Sequence, residues 1–553
     1  TALGHSSLFA NTTGANNVAV GHTALTANTT AAYNTAVGQG AMAANTTGTQ
    51  NVAVGRNALN DAVTVNNNTA VGYDALAKTT IGDNTAVGAG ALNLTTTGTY
   101  NTGVGKSAMV ANTTGANNTA VGAFALDANT TAAYGTAVGM YALTTNTTGA
   151  NNTSVGFDSM KLNTTGASNT AVGFQALDAN TTASDNTALG TRALGATTTG
   201  ASNIGVGSQA FIASTTGANN VAIGTYALDA NTTAANNSAL GYGSLGANTT
   251  GTENVAVGKN ALAVNTTGGY NVAVGSDCLD ANTTASSGTA IGYGALSTNT
   301  TGADNTAVGN SSLLLNTTGA SNVAVGNSAL TANTTGIQNA CVGHGAGLGV
   351  TTGTQNTLIG YFAGAWDNDL TTGIKNTIIG AQTNMSAVGI NYETTIGYNA
   401  TGNGASTVTF GIGTADTYIT VGGTSWSGSS DERLKKNITT STAGLSFINA
   451  LRPVTFEWKN KGDIPSELRG YEEGSTEKYN LNDKVNHGFI AQEVKTVIDA
   501  HPEIGNGHAL WMEKPEGTQA IAQGQLVPML VKAIQEQQTL IESLTARITT
   551  LEG

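Results

Sequence analysis

From Gly4 to Gly360 the chain repeats one pattern of apolar and polar positions, N-T-A-V-G-x-x-A-L-x-A-N-T-T-G-A-x. The closing glycine falls at 4, 21, 38, 55 and 72, then at 88, 105 and every 17 residues on to 343 and 360, which makes 22 glycines with one interval of 16. Within each repeat "TAVG" alternates like a short strand and "NTTG" carries residues that favour turns. A helix is excluded by this composition. A short strand and a tight turn at fixed period predict a β-solenoid or β-prism with rungs about 4.8 Å apart, so that 22 rungs span roughly 100 Å. A second period overlies the first, since "DANTTA" recurs at Asp127, Asp178, Asp229 and Asp280, 51 residues apart. It reads as duplication of three turns together and adds no binding site.

Only Val and Leu are large apolar residues in a repeat. At about 25 cal/mol per Å² of buried surface, set against a backbone cost of about 1 to 2 kcal/mol per residue, one chain winding alone has a poor balance. Three chains sharing an axis would bury Val37, Leu25 and their equivalents together, while Gly and Ala let the backbones approach. A single-chain left-handed solenoid is the alternative. The "NNVAVG…AL" pattern resembles the head repeats of trimeric autotransporter adhesins and of some phage fibres, although the repeat here is longer. "NTT" also matches the N-glycosylation sequon, and stacked threonines would resemble those of ice-binding solenoids. Turn chemistry explains the recurrence without a ligand.

Regularity weakens after Gly360. Residues 366–429 read as a β neck, in which "STVTFGIGTADTYITVGG" alternates at period two. At the C-terminus Val527, Leu530, Ile534, Gln537, Ile541, Leu544, Ile548 and Leu551 are spaced alternately by 3 and 4, the seam of a coiled coil. Pro528 suits the first turn of that helix. Seam composition by itself favours two strands, the fibrous part favours three, and Gln537 could form a polar layer in either. Between them "VTFEWKN", "VNHGFIAQEV" and "HALWMEK" predict a small α/β domain. The expected architecture is therefore mainly β, with a trimeric shaft over 1–365, the neck, an α/β domain over 430–520 and a coiled-coil helix over 521–553.

Composition supports this division. Aromatic residues make up 5% and charged residues 10% of the chain, all five prolines lie between Pro453 and Pro528, and residues 430–553 hold 30 of the 53 charged side chains. A net charge of −13 without a basic cluster argues against nucleic acid as partner. No apolar run is long enough for a membrane span. The chain opens in mid-pattern, so a preceding segment is expected. Cys278 and Cys341 stand in different repeats and define no disulfide framework. No cofactor or metal site is expected, and the repeats lack the clustered carboxylates of a glycosidase.

"SWSGSSDERLKKNI", residues 425–438, stands apart from everything before it. Ser429 followed by Glu432 reads as a capping box, with acids before bases along a helix dipole. The alternative is a serine nucleophile with a lysine base, a pair that needs no histidine. On a regular helix Lys435 would point away from Ser430, so a turn or broken helix is required. "SDERLKKNI", "HGFIAQEV" and "LVPMLVKAIQEQQTLIESL" together resemble, in order and spacing, the self-cleaving intramolecular chaperone at the C-terminus of endosialidase-type phage tailspikes and related tail fibres. The resemblance covers 430–553. It implies a homotrimeric virion fibre that meets a host cell-surface receptor, a glycan among the candidates. Its chaperone would trimerise the β-fibre, cut between Ser429 and Ser430, and be released in the host cell during assembly. Ser430 would be the nucleophile, Lys435 the base and Asp431 a supporting group, with His487, Gln492 and Glu493 packing and hydrogen bonding around them. A bacterial trimeric surface adhesin carrying the same chaperone is the alternative.

Overall fold

A computed structural model describes the chain from Thr1 to Gly553 except residues 368–369, 414, 424, 429, 481–483, 505–508 and 516. It divides into two compact units, Thr1–Ser429 and Ser430–Gly553.

The first unit is a β-solenoid. Each repeat contributes a three-residue strand that pairs in parallel with the strand one repeat on, as Thr35↔Val52, Ala36↔Ala53 and Val37↔Val54. The register absorbs irregular spacing, with Thr69↔Thr85 across the short interval and Thr357↔Thr377 across the long one. The ladder continues into the expected neck, where Thr377–Ile379, Thr394–Tyr398 and Thr407–Ile412 still pair in parallel. Ala415–Thr420 then turns back, antiparallel to Thr407–Ile412, and Ser427–Gly428 pairs antiparallel with it.

Alternation along each strand buries its middle residue. Ala36 and Ala53 are fully buried, while Val37 and Val54 are half-buried on the outer face. The expectation that valine points inward is therefore corrected, and the reason is steric. Where Gly103 replaces the strand alanine, an added Cβ would already lie 3.1 Å from Leu92 Cγ, so leucine tips fill the space beneath the strand. Leucine reaches that interior through a left-handed backbone, with φ of +48° at Leu25 and +50° at Leu59. The left-handed residue breaks the two-residue alternation, and Ala58 and Leu59, adjacent in sequence, are both buried. Its steric cost, about 1–2 kcal/mol, is offset by the roughly 1.5–3 kcal/mol of a fully buried leucine. The glycine that sets the period is obligatory for a different reason. Gly38 has φ +139°, and a Cβ on it would lie 2.4 Å from the Gly55 carbonyl oxygen of the next rung.

"NTTGAxN" is not an exposed turn. Every third residue points inward, so that Asn45, Gly48 and Asn51 are buried while Thr47 and Gln50 are exposed. The asparagines form two interior ladders. In one, Asn45 Nδ2 donates to Asn28 Oδ1 at 3.2 Å and to the Gly48 carbonyl at 3.1 Å. In the other, the Asn51 backbone N–H donates to Asn34 Oδ1 at 3.0 Å, and its Nδ2 donates to the Val65 carbonyl at 2.7 Å. The first threonine of the pair joins them, Thr46 Oγ1 donating to the Val63 carbonyl at 3.2 Å. A net contribution of about 1 kcal/mol per satisfied bond supplies what the small side chains do not.

Leu25 and its equivalents are thus buried within one chain rather than at an axis between three, and the shaft core closes without a partner. Asparagine was the term missing from the apolar balance. Burial also encloses the asparagines of the NTT sequences from Asn28 to Asn333 within the folded shaft. Cys278 and Cys341 are interior side chains, and burial pushes the Cys278 thiol up to about 12 and raises that of Cys341 as well.

The second unit is small and α/β. Helix α1 (Leu445–Ala450), helix α2 (Ala491–Asp499) and helix α3 (Leu526–Glu552) accompany two antiparallel hairpins, Val454–Phe456 with Asn486–Gly488 and Trp511–Glu513 with Gln519–Ile521. Phe447, Leu451, Val494, Ile498, Leu510 and Leu526 form its core. Gly444 offers α1 no side-chain cap, and Glu536 of α3 supplies one by accepting the Leu445 N–H at 2.7 Å. The apolar seam of α3 lies open, with Ile534 64%, Ile541 49%, Leu544 53%, Ile548 53% and Leu551 85% exposed.

Candidate functional site

The stretch that opens the second unit carries almost no apolar side chains, and every residue from 430 to 442 is exposed. Without an apolar stripe it cannot hold a helix, and only a single 3₁₀ turn forms, Glu432–Leu434. Its cap is Asp431, whose Oδ1 accepts the Arg433 backbone N–H at 2.9 Å. The capping box expected from Ser429 and Glu432 rests on Ser429, which lies outside the described residues. The turn ends because Lys435 is extended, with φ −109° and ψ 147°. That break is what the pair required. It returns the lysine toward the start of the segment, where Lys435 Nζ donates to Ser430 Oγ at 2.8 Å.

Asp431 is engaged elsewhere. Arg433 Nε lies 3.0 Å from Asp431 Oδ1 and 3.1 Å from Oδ2, and Arg433 Nη2 lies 2.6 Å from Oδ2. The guanidinium, then the backbone N–H of the same residue, hold the Asp431 carboxyl below its usual range. Arg433 had no pattern to announce it, and only the Asp-x-Arg spacing could have done so.

His487, Gln492 and Glu493 do not join this cluster among the described residues. His487 sits exposed in its hairpin opposite Thr455. Glu493, in the first turn of α2, pairs with Arg452, whose Nε lies 2.9 Å from Glu493 Oε2, and the guanidinium lowers the carboxyl's pKa. Gln492, next to it, accepts the Thr496 hydroxyl at its backbone carbonyl at 3.1 Å. What this second motif contributes is one exposed ion pair, between Glu493 and Arg452, a residue that sequence reasoning passed over.

A serine hydroxyl hydrogen-bonded to a lysine amine is equipped for one reaction type. Once neutral, the amine can take the hydroxyl proton as the oxygen attacks a carbonyl, and can return it to a leaving amine. Among the described residues no group of three or more His, Cys, Asp or Glu side chains is placed to hold a metal ion. No described helix is long and apolar enough to cross a membrane.

Comparison with curated proteins finds no match, and comparison with solved structures finds none either. A family model does match. The family is described as chaperone of endosialidase, and its match spans residues 430–502, beginning at the residue that opens the second compact unit. The match ends before α3, so the seam helix stands outside it. A long β-solenoid of 17-residue repeats is thus followed in this chain by a chaperone-of-endosialidase domain whose first residue is Ser430.

Proposed function

We propose that the chain is a trimeric viral tail fibre for host attachment whose C-terminal domain aligns three copies, guides their folding and then cuts itself off before Ser430. The observation that carries this reading is the coincidence at Ser430. The family match begins there, and the same residue is bonded by Lys435.

The step is an acyl shift followed by hydrolysis. Ser430 Oγ attacks the carbonyl carbon of Ser429 as Lys435 Nζ accepts the hydroxyl proton. The C–N bond breaks, the proton passes to the departing Ser430 amine, and an ester joins the two parts. Water then cleaves that ester, leaving a carboxylate on Ser429 and a free hydroxyl on Ser430.

The open seam of α3 supports assembly through this end, since a row of half-exposed Ile and Leu at heptad spacing is unfavourable in water and satisfied by copies of itself. A need for such a template follows from the shaft. Within one chain each strand pairs with the strand one repeat on, so what a template at this end would set is the alignment of three shafts side by side, where a slip by a whole repeat changes few contacts. Removing the template after folding would leave the fibre kinetically trapped.

Charging the seam tests this. Ile541→Asp combined with Leu544→Asp is expected to yield monomers by light scattering and chains that stay whole at 55.1 kDa. Trimers formed by this variant, or cutting by its monomers, would separate cleavage from association and defeat the reading.

A further inference from the structure

The turn that returns Lys435 to Ser430 contains a side chain held by more bonds than either. Arg433 meets Asp431 through Nε, Nη2 and its backbone N–H, at distances from 2.6 to 3.1 Å. Lys435 has Ser430 Oγ as its hydrogen-bond partner. Asp431 is nevertheless the chain neighbour of Ser430, whose Oγ lies 2.8 Å from Lys435 Nζ, which brings the carboxylate and the ammonium onto the same short turn.

The segment is exposed throughout, and its other charged groups, Glu432 and Lys436, lie on the same short stretch. Among the described residues no charged group of another element is bonded to Lys435. Asp431 is therefore the competitor that matters. A free carboxylate beside an ammonium favours the charged lysine, and a charged lysine cannot accept the serine proton. A guanidinium occupies both carboxylate oxygens at once with two parallel donors, which a point charge on a flexible stem cannot do.

We propose that Arg433 is a positioning residue that sequesters the Asp431 carboxylate, so that Lys435 is left to Ser430 as an available base. The inference rests on the Ser–Lys reading of the preceding subsection. It gives the Asp-x-Arg pair a task beyond capping the 3₁₀ turn, because the cap needs only the backbone N–H of residue 433.

The test follows self-cleavage of assembled full-length protein, purified uncut at acidic pH and started by a pH jump, with the rate recorded against pH. Arg433→Ala is expected to move the midpoint of the profile up by a fraction of a unit, which makes cutting roughly two- to threefold slower on the acidic side of the midpoint. Arg433→Lys should fall between wild type and Arg433→Ala. In the Asp431→Asn/Arg433→Ala double variant the midpoint should return to that of wild type whatever the plateau rate, because the competing charge is gone. Size exclusion accompanies each variant to confirm assembly.

An Arg433→Ala profile with the wild-type midpoint would overturn the proposal while leaving the dyad standing. So would a shifted midpoint that the double variant fails to reverse, which would assign Arg433 to the shape of the turn alone. Should Ser430→Ala itself be cut like wild type, the Ser–Lys reading beneath the proposal would fall, and that result is distinct from both others.

Discussion

Ser430→Ala is expected to leave the chain whole while the trimer still forms. The alanine lacks the oxygen that attacks, and nothing in the described contacts of Ser430 holds the fold, since its side chain is exposed and bonded to Lys435. Lys435→Met should give the same uncut trimer, because it keeps much of the stem length and removes the amine. Loss in both should be complete within the resolution of a gel. Members of a nucleophile–base pair act as a unit, so removing either removes the reaction. Gel electrophoresis after assembly reads out both variants. An efficient cut in Ser430→Ala would place the nucleophile elsewhere, and an efficient cut in Lys435→Met would leave the serine with another base.

Ala256→Asp is expected to be the most damaging single change in the shaft. Ala256 is the buried middle residue of Val255–Val257, paired with Ala239 and Ala273 of the adjoining rungs. A carboxylate placed there has no donor to meet it and no water, a burden of several kcal/mol, and it would also crowd leucine tips that already fill the space. Because each rung is stabilised mainly by its neighbours, the stack would open locally rather than lose a fraction of its stability everywhere. Val257→Asp, one residue along, points its charge outward and should cost the shaft much less. Protease sensitivity around residue 256 and the thermal transition of the shaft compare the two. A greater loss in Val257→Asp would show that the faces of the strand are the reverse of those described.

That comparison marks where sequence was legible and where it was not. The repeat, its short strand and its obligatory glycine could be read directly, because a backbone with φ +139°, on which a Cβ would lie 2.4 Å from the carbonyl oxygen of the next rung, admits only glycine and so leaves a strict period. The inward face could not be read by alternation. Leu59 turns inward through a left-handed residue, and Asn45, Gly48 and Asn51 follow a three-residue period that neither a strand nor an α-helix has. Counting Val and Leu alone therefore understated what one chain can bury, since the asparagines that look like turn residues are the polar half of the core.

At the other end, the need for a break between Ser430 and Lys435 was visible because five residues of regular helix would separate them. The helix seam was visible because its spacing is strict. Arg433 and Arg452 were not. Each acts through one ion pair formed by the local path of the chain, Arg433 with Asp431 and Arg452 with Glu493, and a pair of that kind leaves no period in the sequence.

The most direct test of the account is the N-terminal sequence and intact mass of whatever wild-type protein becomes after folding. A self-cleaving chaperone predicts two products, a fibre ending at Ser429 and a fragment of residues 430–553 whose first residues read Ser-Asp-Glu-Arg-Leu. A folded, assembled protein that remains a single chain of 55.1 kDa, or a fragment that begins at any other residue, would contradict it.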